Sequence, residues 1–389
     1  TAAAALTART LAQAQQTQAP KIAGFDETNA GKVKAAAWTP FSDRKVKVGI
    51  AGYGVCKFGA SFGFQNHPNV EVVAATDLNP DACAELAKVT GAKKTYASCE
   101  EMYAKDREIE AVFIATDAPS HAKLCIEGMK RGLHVASAVP TVFGEEQLEL
   151  ADELLATVKK TGLVYALFET TAFRPQCYAM REIYKAGGFG KMIYTEGEYY
   201  HYMDKHIGSY NGWRVGLPPQ YYPTHSNGFY TCVTGGSFTS VSCLAIPSLL
   251  PDNQPGKNRY NNPFASEIAL FRTSEGGMAR MAVSWDMPGA GGEKGRVYGQ
   301  KGSFEARYSG QADISKVAQE KPPLPPGVPA GGHGGSHGYL SDDFIRAILL
   351  KQKPVCDVAC ALNTTVSGIY AHMSAMKDGE TLKIPQYAL

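Results

Sequence analysis

The sequence predicts an α/β protein in two parts. An N-terminal doubly wound parallel sheet is followed by an α/β domain built on a large, mostly antiparallel open sheet. Three observations carry this reading. The stretch Val46-Lys-Val-Gly-Ile-Ala-Gly-Tyr-Gly54 is a short apolar strand running straight into G-x-G. Further short apolar strands then alternate with helix-like runs as far as Phe168, the spacing of parallel β-α-β units. Beyond Glu169 the strands lengthen and alternate apolar with polar residues, as in an antiparallel sheet covered on one face.

In the first strand's turn, Gly52 permits a tight bend. Gly54 lets the backbone approach a pyrophosphate seated on the following helix N-terminus, with Val55 and Cys56 alongside. The third glycine of G-x-G-x-x-G is replaced by Lys57, and the next small residues are Gly59 and Ala60. Context supplies what the motif lacks. A second strand, Val70 to Thr76, ends at Asp77, where an acid accepts hydrogen bonds from the adenosine ribose. This predicts a Rossmann dinucleotide-binding domain over residues 46–168. The expected cofactor is tightly held NAD rather than NADP, because Asp77 would repel a 2′-phosphate and only Lys93 and Lys94 follow it.

The remaining elements follow in order. Pro80 to Thr90 is a helix with proline at its start. Ala111 to Ala115 is a buried strand, followed by Thr116-Asp-Ala-Pro-Ser-His121 and a helix with the apolar face Ala122, Cys125, Ile126 and Met129. Leu133 to Ala136 is the next strand and leads to Ser137-Ala-Val-Pro140. The helix Glu145 to Lys160 and the strand Leu163 to Phe168 complete the sheet. Residues 169–389 read as the substrate domain, with strands at Met192–Tyr202, Gly236–Leu244, Ser266–Thr273, Gly277–Trp285 and Ser303–Tyr308. Met287–Gly295 and Lys321–Gly338 read as Gly/Pro-rich loops serving as lids or subunit contacts. Helices Tyr339–Leu350 and Val358–Met376 close the chain.

Composition narrows the function classes. The net charge of +2 over 389 residues, with no basic run, gives no footprint for nucleic acid or a membrane surface. No apolar run reaches the ~18 residues of a membrane span. Nine cysteines without a C-x-x-C pair suggest neither a zinc site nor a disulfide framework, and no metal is expected. Cys356 and Cys360, four apart, read as two small buried apolar residues. Residues 1–45 read as an N-terminal arm. Its alanine-rich start, with Ala12-Gln13-Ala14 as an A-x-A site, looks like a signal-peptide remnant. Export by the twin-arginine route would suit a chain that folds around its cofactor first. Residues 15–45 lack periodicity and are expected to pack on a neighbouring subunit of a homo-oligomer, a dimer or tetramer.

From Val46 to Pro385 the chain resembles the glucose–fructose oxidoreductase / inositol dehydrogenase / MocA (Gfo/Idh/MocA) family. The glycine turn, Asp77, the A-T-x-x-P-x-H element Ala115 to His121 and the x-x-P element Ala138 to Pro140 match in order. The resemblance implies NAD contacts from Thr116, Asp117, Pro119, His121, Ala138, Val139 and Pro140. In many relatives the last element is Glu-Lys-Pro, whose lysine reaches nicotinamide and substrate; here Val139 takes its place. A narrower likeness is to the NAD-dependent α-N-acetylgalactosaminidases. Glu169, Tyr199, Arg214, the pair Tyr222 and His225 in Tyr-Pro-Thr-His, and the Gly331–Gly335 stretch are similar to their active-site elements.

Oxidation of a sugar ring hydroxyl needs a base in hydrogen-bond reach of the proton. His225 fits, with Tyr222 three residues before it on one helical face or turn. On the strand Met192–Tyr202, Tyr199 and His201 face one side and Tyr200 and Tyr202 the other. Arg214 suits a sugar hydroxyl or carboxylate. His333 and His337 lie in the glycine-rich loop, and His337 opens a helix, favouring substrate contact. The expected function is NAD-dependent oxidation of a sugar or glycoside. The alternative is a redox-neutral glycosidase, in which oxidation, elimination, hydration and re-reduction leave the cofactor unchanged. A further alternative is a non-catalytic sugar or NAD sensor that keeps only the fold.

Overall fold

The computed structural model describes residues 37–251, 254–289 and 291–389. The signal-peptide reading and the arm up to residue 36 lie outside these residues. None of the described helices is long and apolar enough to cross a membrane.

The first sheet has six parallel strands in the order β3-β2-β1-β4-β5-β6. They are β1 (Val46–Ala51), β2 (Val70–Thr76), β3 (Lys94–Tyr96), β4 (Ala111–Ile114), β5 (His134–Ser137) and β6 (Tyr165–Leu167). Their helices are α1 (Phe58–Ser61), α2 (Pro80–Thr90), α3 (Cys99–Lys105), α4 (His121–Lys130) and α5 (Leu148–Thr161). The order reverses between β1 and β4, and ligands of such sheets bind beyond the strand ends at that crevice. Buried apolar runs fix the strands; β4, for example, is buried at all of its positions. Asn79 caps α2 by accepting from the Asp81 and Ala82 amides, which sets where the chain turns after Asp77.

The second sheet has eight strands, ordered β13-β12-β11-β7-β10-β9-β8-β14. These are β7 (Met192–His201), β8 (Phe238–Pro247), β9 (Phe264–Thr273), β10 (Met278–Ser284), β11 (Gly291–Gly299), β12 (Gly302–Phe304), β13 (Tyr308–Gly310) and β14 (Leu382–Lys383). All pairs are antiparallel except β10 with β7. Two expectations fail here. Met287–Gly295 is not wholly a loop, because its second half enters β11 along the whole of β7. Its glycines carry no apolar alternation, so only the partner strand reveals it. Ser303–Tyr308 is not one strand but parts of two, turning back as a hairpin between Phe304 and Tyr308.

Helices α6 (Pro175–Lys185), α7 (Thr224–Thr234), α8 (His337–Leu350) and α9 (Val358–Ala375) complete the chain. Residues Thr224 to Val233 of α7 are all buried. The helix lies between the sheet and α9, where the Asn227 amide donates to Thr364 O and Ser367 Oγ, each at 3.0 Å. From the second domain, α8 returns to the first and sets Phe344 against Phe64 and Phe168. Lys321–Gly338 contains a short turn at Gly332–Gly335, and α8 opens at His337.

Candidate active site

The glycine turn has the geometry of a phosphate cradle. Gly52 has φ +102°, and a Cβ there would come within 2.3 Å of the Ala115 carbonyl oxygen. Lys57, in the third glycine's place, adopts φ 52° with its side chain turned outward to Glu85. The close packing falls to Gly59 instead, where a Cβ would approach Gly52 O to 2.4 Å. The close-packing glycine therefore falls two residues later than the G-x-G-x-x-G spacing places it.

A cleft of about 540 Å³ runs from this turn across the sheet's strand ends. Gly54, Val55, Cys56, Asp77, Thr116, Asp117, Pro119, His121, Ala138 and Val139 line it, and Arg214 and Tyr222 close its far end. Asp77 accepts from the Tyr53 amide at 2.7 Å and the Asn79 amide at 2.8 Å, so its carboxylate is fixed at the rim. His121 is a brace facing inward: Nδ1 lies 2.8 Å from Pro140 O and Nε2 lies 3.3 Å from Thr116 O. Burial lowers its pKa and keeps the ring neutral. Pro140 serves the site through that bond.

Beyond Tyr222 lies a buried polar centre. His225 Nδ1 is 2.8 Å from Glu169 Oε1, which also accepts from the Thr171 amide at 2.8 Å. Glu169 follows β6 and His225 lies in the first turn of α7, so the contact ties the end of the first sheet to the helix packed on the second. Burial works against charge on both. For Glu169 the His225 charge and hydrogen bond outweigh it and lower the carboxyl to about 2. For His225, the neighbouring Glu169 and Glu293 outweigh it and raise the pKa. Each partner thus favours the charged form of the other.

Aromatic rings wall this centre. The Tyr199 ring packs edge-on at 4.7 Å from His225, and Tyr222 at 5.6 Å. The Tyr199 hydroxyl lies 3.1 Å from His201 Nδ1, on the strand face expected from alternation. Burial raises both phenol pKa values, so each stays a hydrogen-bond donor. The Arg214 guanidinium stacks 4.2 Å over Trp213 and 5.5 Å from the Tyr222 ring centre. His225 itself is only 3% exposed and is not on the cleft wall. His337 is set further back, stacked at 4.2 Å on Phe62, with its Nε2 2.9 Å from His333 Nδ1.

Three participants were not singled out as site residues in the sequence. Glu293 of β11 faces Tyr199 in the strand register and is clasped by Arg174 through two nitrogens, while the Thr171 hydroxyl donates to it at 2.8 Å. His333, at φ 50°, stacks 6.0 Å from His225 and lies 2.9 Å from His337 Nε2 through its Nδ1. Burial, then the charges of His225 and His337, lower its pKa to about 4. The glycines around His333 were the available signal; Glu293 and Arg174 had none. Glu169, His225 and Glu293 could together offer three metal-ligand atoms, but the Arg174 clasp already balances Glu293.

A cleft at the topological switch point of a doubly wound parallel sheet, closed by Tyr222 with a buried histidine–carboxylate pair behind it, is the architecture to set beside known proteins. Residues 46–168 match the oxidoreductase family with an NAD-binding Rossmann fold, Gfo/Idh/MocA. The match covers the part of the chain that forms the first sheet. Glycosyl hydrolase family 109 protein 1 of Bacteroides fragilis is 29% identical over 204 residues, 47% of this chain and 42% of that protein. In this alignment the chain spans less than half the length of the curated relative. A glycosyl hydrolase family 109 protein of Streptomyces filamentosus is 24% identical over 91% of this chain and 80% of its own length. Among solved structures, a levoglucosan dehydrogenase in complex with NADH and levoglucosan superposes with TM-score 0.72 at 17% identity, covering 88% of this chain and 100% of that one. Myo-inositol 2-dehydrogenase of Lactobacillus plantarum does so with TM-score 0.67 at 17% identity, over 88% and 100%. At such identities these two likenesses establish the fold.

Proposed function

We propose that the chain is an NAD-dependent enzyme that oxidises a ring hydroxyl of a sugar or glycoside. The observation that carries this reading is the buried His225–Glu169 pair packed behind Tyr222, which closes the dinucleotide cleft. The cleft fits the cofactor: a Cβ on Gly54 would meet nothing within 4 Å, so the backbone there is open to a pyrophosphate. Asp77 would hold the ribose hydroxyls, and Val139 and Ala138 would wall the nicotinamide end. NAD, when bound, supplies the hydride acceptor.

This chain's residues supply the rest. Glu169 accepts from His225 Nδ1, orients the ring and leaves Nε2 to take the substrate hydroxyl proton. The phenols of Tyr199 and Tyr222 donate to substrate oxygens, and Arg214, pre-stacked on Trp213, binds a hydroxyl or carboxylate. Because His225 is nearly inaccessible, Tyr222 or the Gly332–Gly335 turn has to move for substrate to reach it.

A redox-neutral glycosidase is the second reading. It is favoured by Val139 in place of a lysine and by relatives named as glycosyl hydrolases. One assay with and without added NAD tests both. NADH accumulation on a sugar supports the dehydrogenase, aglycone release without added cofactor supports the glycosidase, and neither result overturns the enzyme reading. The exposed outer face of the second sheet, with Leu244, Ile246, Leu270 and Met278, supports a homo-oligomer that buries it. The Ala12-Gln13-Ala14 motif supports export, which N-terminal sequencing of the mature protein tests.

A further inference from the structure

Three thiols converge where the sequence suggests only small apolar packing. Cys356 and Cys360 lie 3.4 Å apart at Sγ, and with Cys232 the three sulfurs all fall within 4.8 Å of one another. They come from separate places: Cys232 from the second half of α7, Cys356 from the segment between α8 and α9, and Cys360 from the first turn of α9. Main-chain bonds fix two of them. The Cys356 carbonyl accepts from the Leu167 amide at 3.0 Å, and the Cys360 amide donates to Asp357 Oδ1 at 3.0 Å. None of the three is more than 8% exposed.

We propose that Cys232, Cys356 and Cys360 form a closed trigonal site for a soft d¹⁰ metal ion, Cu(I). Thiolate donors select soft cations. A metal–sulfur bond of about 2.3 Å puts three trigonal sulfurs about 4 Å apart, inside the spread found here. Zn(II) needs a fourth donor, and among the described residues no fourth cysteine, histidine or carboxylate atom joins the three sulfurs. The nearby hydroxyls of Thr231 and Thr364 lie 2.6 Å from each other, and Thr364 donates to Cys360 O at 2.7 Å. The Cys177 sulfur is outside the group and faces Gly228 O at 3.8 Å. The buried Arg181 guanidinium, donating to Cys232 O at 3.5 Å, offsets part of the thiolate charge. On binding, the thiols lose protons to solvent as the metal–sulfur bonds form, with no change of oxidation state. Since the site is closed, the ion enters as the chain folds. It then clips α7, the helix that carries His225, to the start of α9.

The test uses the full chain in a Cys56→Ser background, which removes the one exposed cysteine. It is expressed in copper-supplemented and, separately, zinc-supplemented medium, and metal per chain is counted after dialysis against a Cu(I) chelator. Expected are one copper per chain and an ultraviolet thiolate-to-Cu(I) absorption. Retention should fall at least about tenfold in Cys232→Ser and Cys360→Ser and be unchanged in Cys177→Ser. No retained copper, equal retention in the two ligand variants, or retention of zinc alone overturns the proposal. If a ligand variant does not fold, the absorption of the parent chain decides, because it requires sulfur coordination.

Discussion

Gly197 and Ser226 touch where α7 crosses β7: a Cβ on Gly197 would come within 2.0 Å of the Ser226 carbonyl oxygen. Ser226 follows His225, so this contact sets the height of the catalytic candidate above the sheet. Gly197→Ala would push the helix outward. Overpacking of this kind costs about 1–3 kcal/mol. The expected result is a lower denaturation midpoint together with lost turnover and unchanged NAD affinity. Full activity in Gly197→Ala would show that the helix position is not critical.

The assignment of His225 predicts a large effect from one substitution. His225→Gln keeps a polar side chain of similar reach but cannot take a proton, and loss of a general base typically costs ~10²–10⁴-fold in rate. NAD binding should be nearly unchanged, since the glycine turn and Asp77 are remote from it. Val139→Lys should not fully restore the variant, because a base there approaches substrate from the cofactor side. Single-turnover reduction of bound NAD and calorimetry measure the two halves. A wild-type rate in His225→Gln would make the histidine structural.

The charge pair also dictates a pH dependence. Proton abstraction needs neutral His225, whose pKa is raised above the ordinary 6.5, so the rate should climb with pH through that raised value. Glu169→Gln removes the main attraction and should move the rising limb to lower pH. Stability follows the opposite logic. The His225 contribution is complete below 6.5 and lost as pH rises through its folded pKa. The Glu169 contribution is complete above 4.5 and lost as pH falls toward about 2. The difference in unfolding temperature between wild type and His225→Gln should therefore peak between pH 4.5 and 6.5. A pH-independent difference would mean the pair is uncharged.

NAD should be preferred over NADP. Asp77 is fixed by two amides, and the lysines that could offset it are engaged: Lys93 with Glu71 at 3.6 Å, and Lys94 with Glu108 at 3.1 Å. Asp77→Asn removes one charge opposing a 2′-phosphate and should narrow the preference by about tenfold, the equivalent of ~1.4 kcal/mol. Titration of the apo-protein with both cofactors checks this. Tighter NADP binding by wild type would contradict it.

Five strands of the first sheet were readable because they are largely buried and appear as apolar runs punctuated by glycine and proline, whereas β3, the half-exposed Lys-Thr-Tyr at the sheet edge, went unread. Asp77, the cofactor loops and the Tyr199 face followed from the same patterns. Helix α7 was not assigned from periodicity: it is buried all round, so Thr-His-Ser-Asn-Gly-Phe-Tyr shows no apolar stripe. The arrangement around His225 was only half legible. Tyr222 and His225 are neighbours in sequence, whereas Glu293 and Arg174 are 119 residues apart and meet only through the β11–β7 pairing.

That pairing has a consequence for how much local error the chain tolerates. Successive residues of β11 point to opposite faces, so a slip of one residue against β7 would swing Glu293 outward and bring Lys294 in over the imidazole. It would also take Gly295 from beneath Phe229, where any larger residue would collide with the ring. A misaligned strand would thus place an ammonium beside His225 and fail to close over α7. Correct alignment of two strands, far apart in sequence, is what keeps Glu293 beside the imidazole and adds its attraction to that of Glu169.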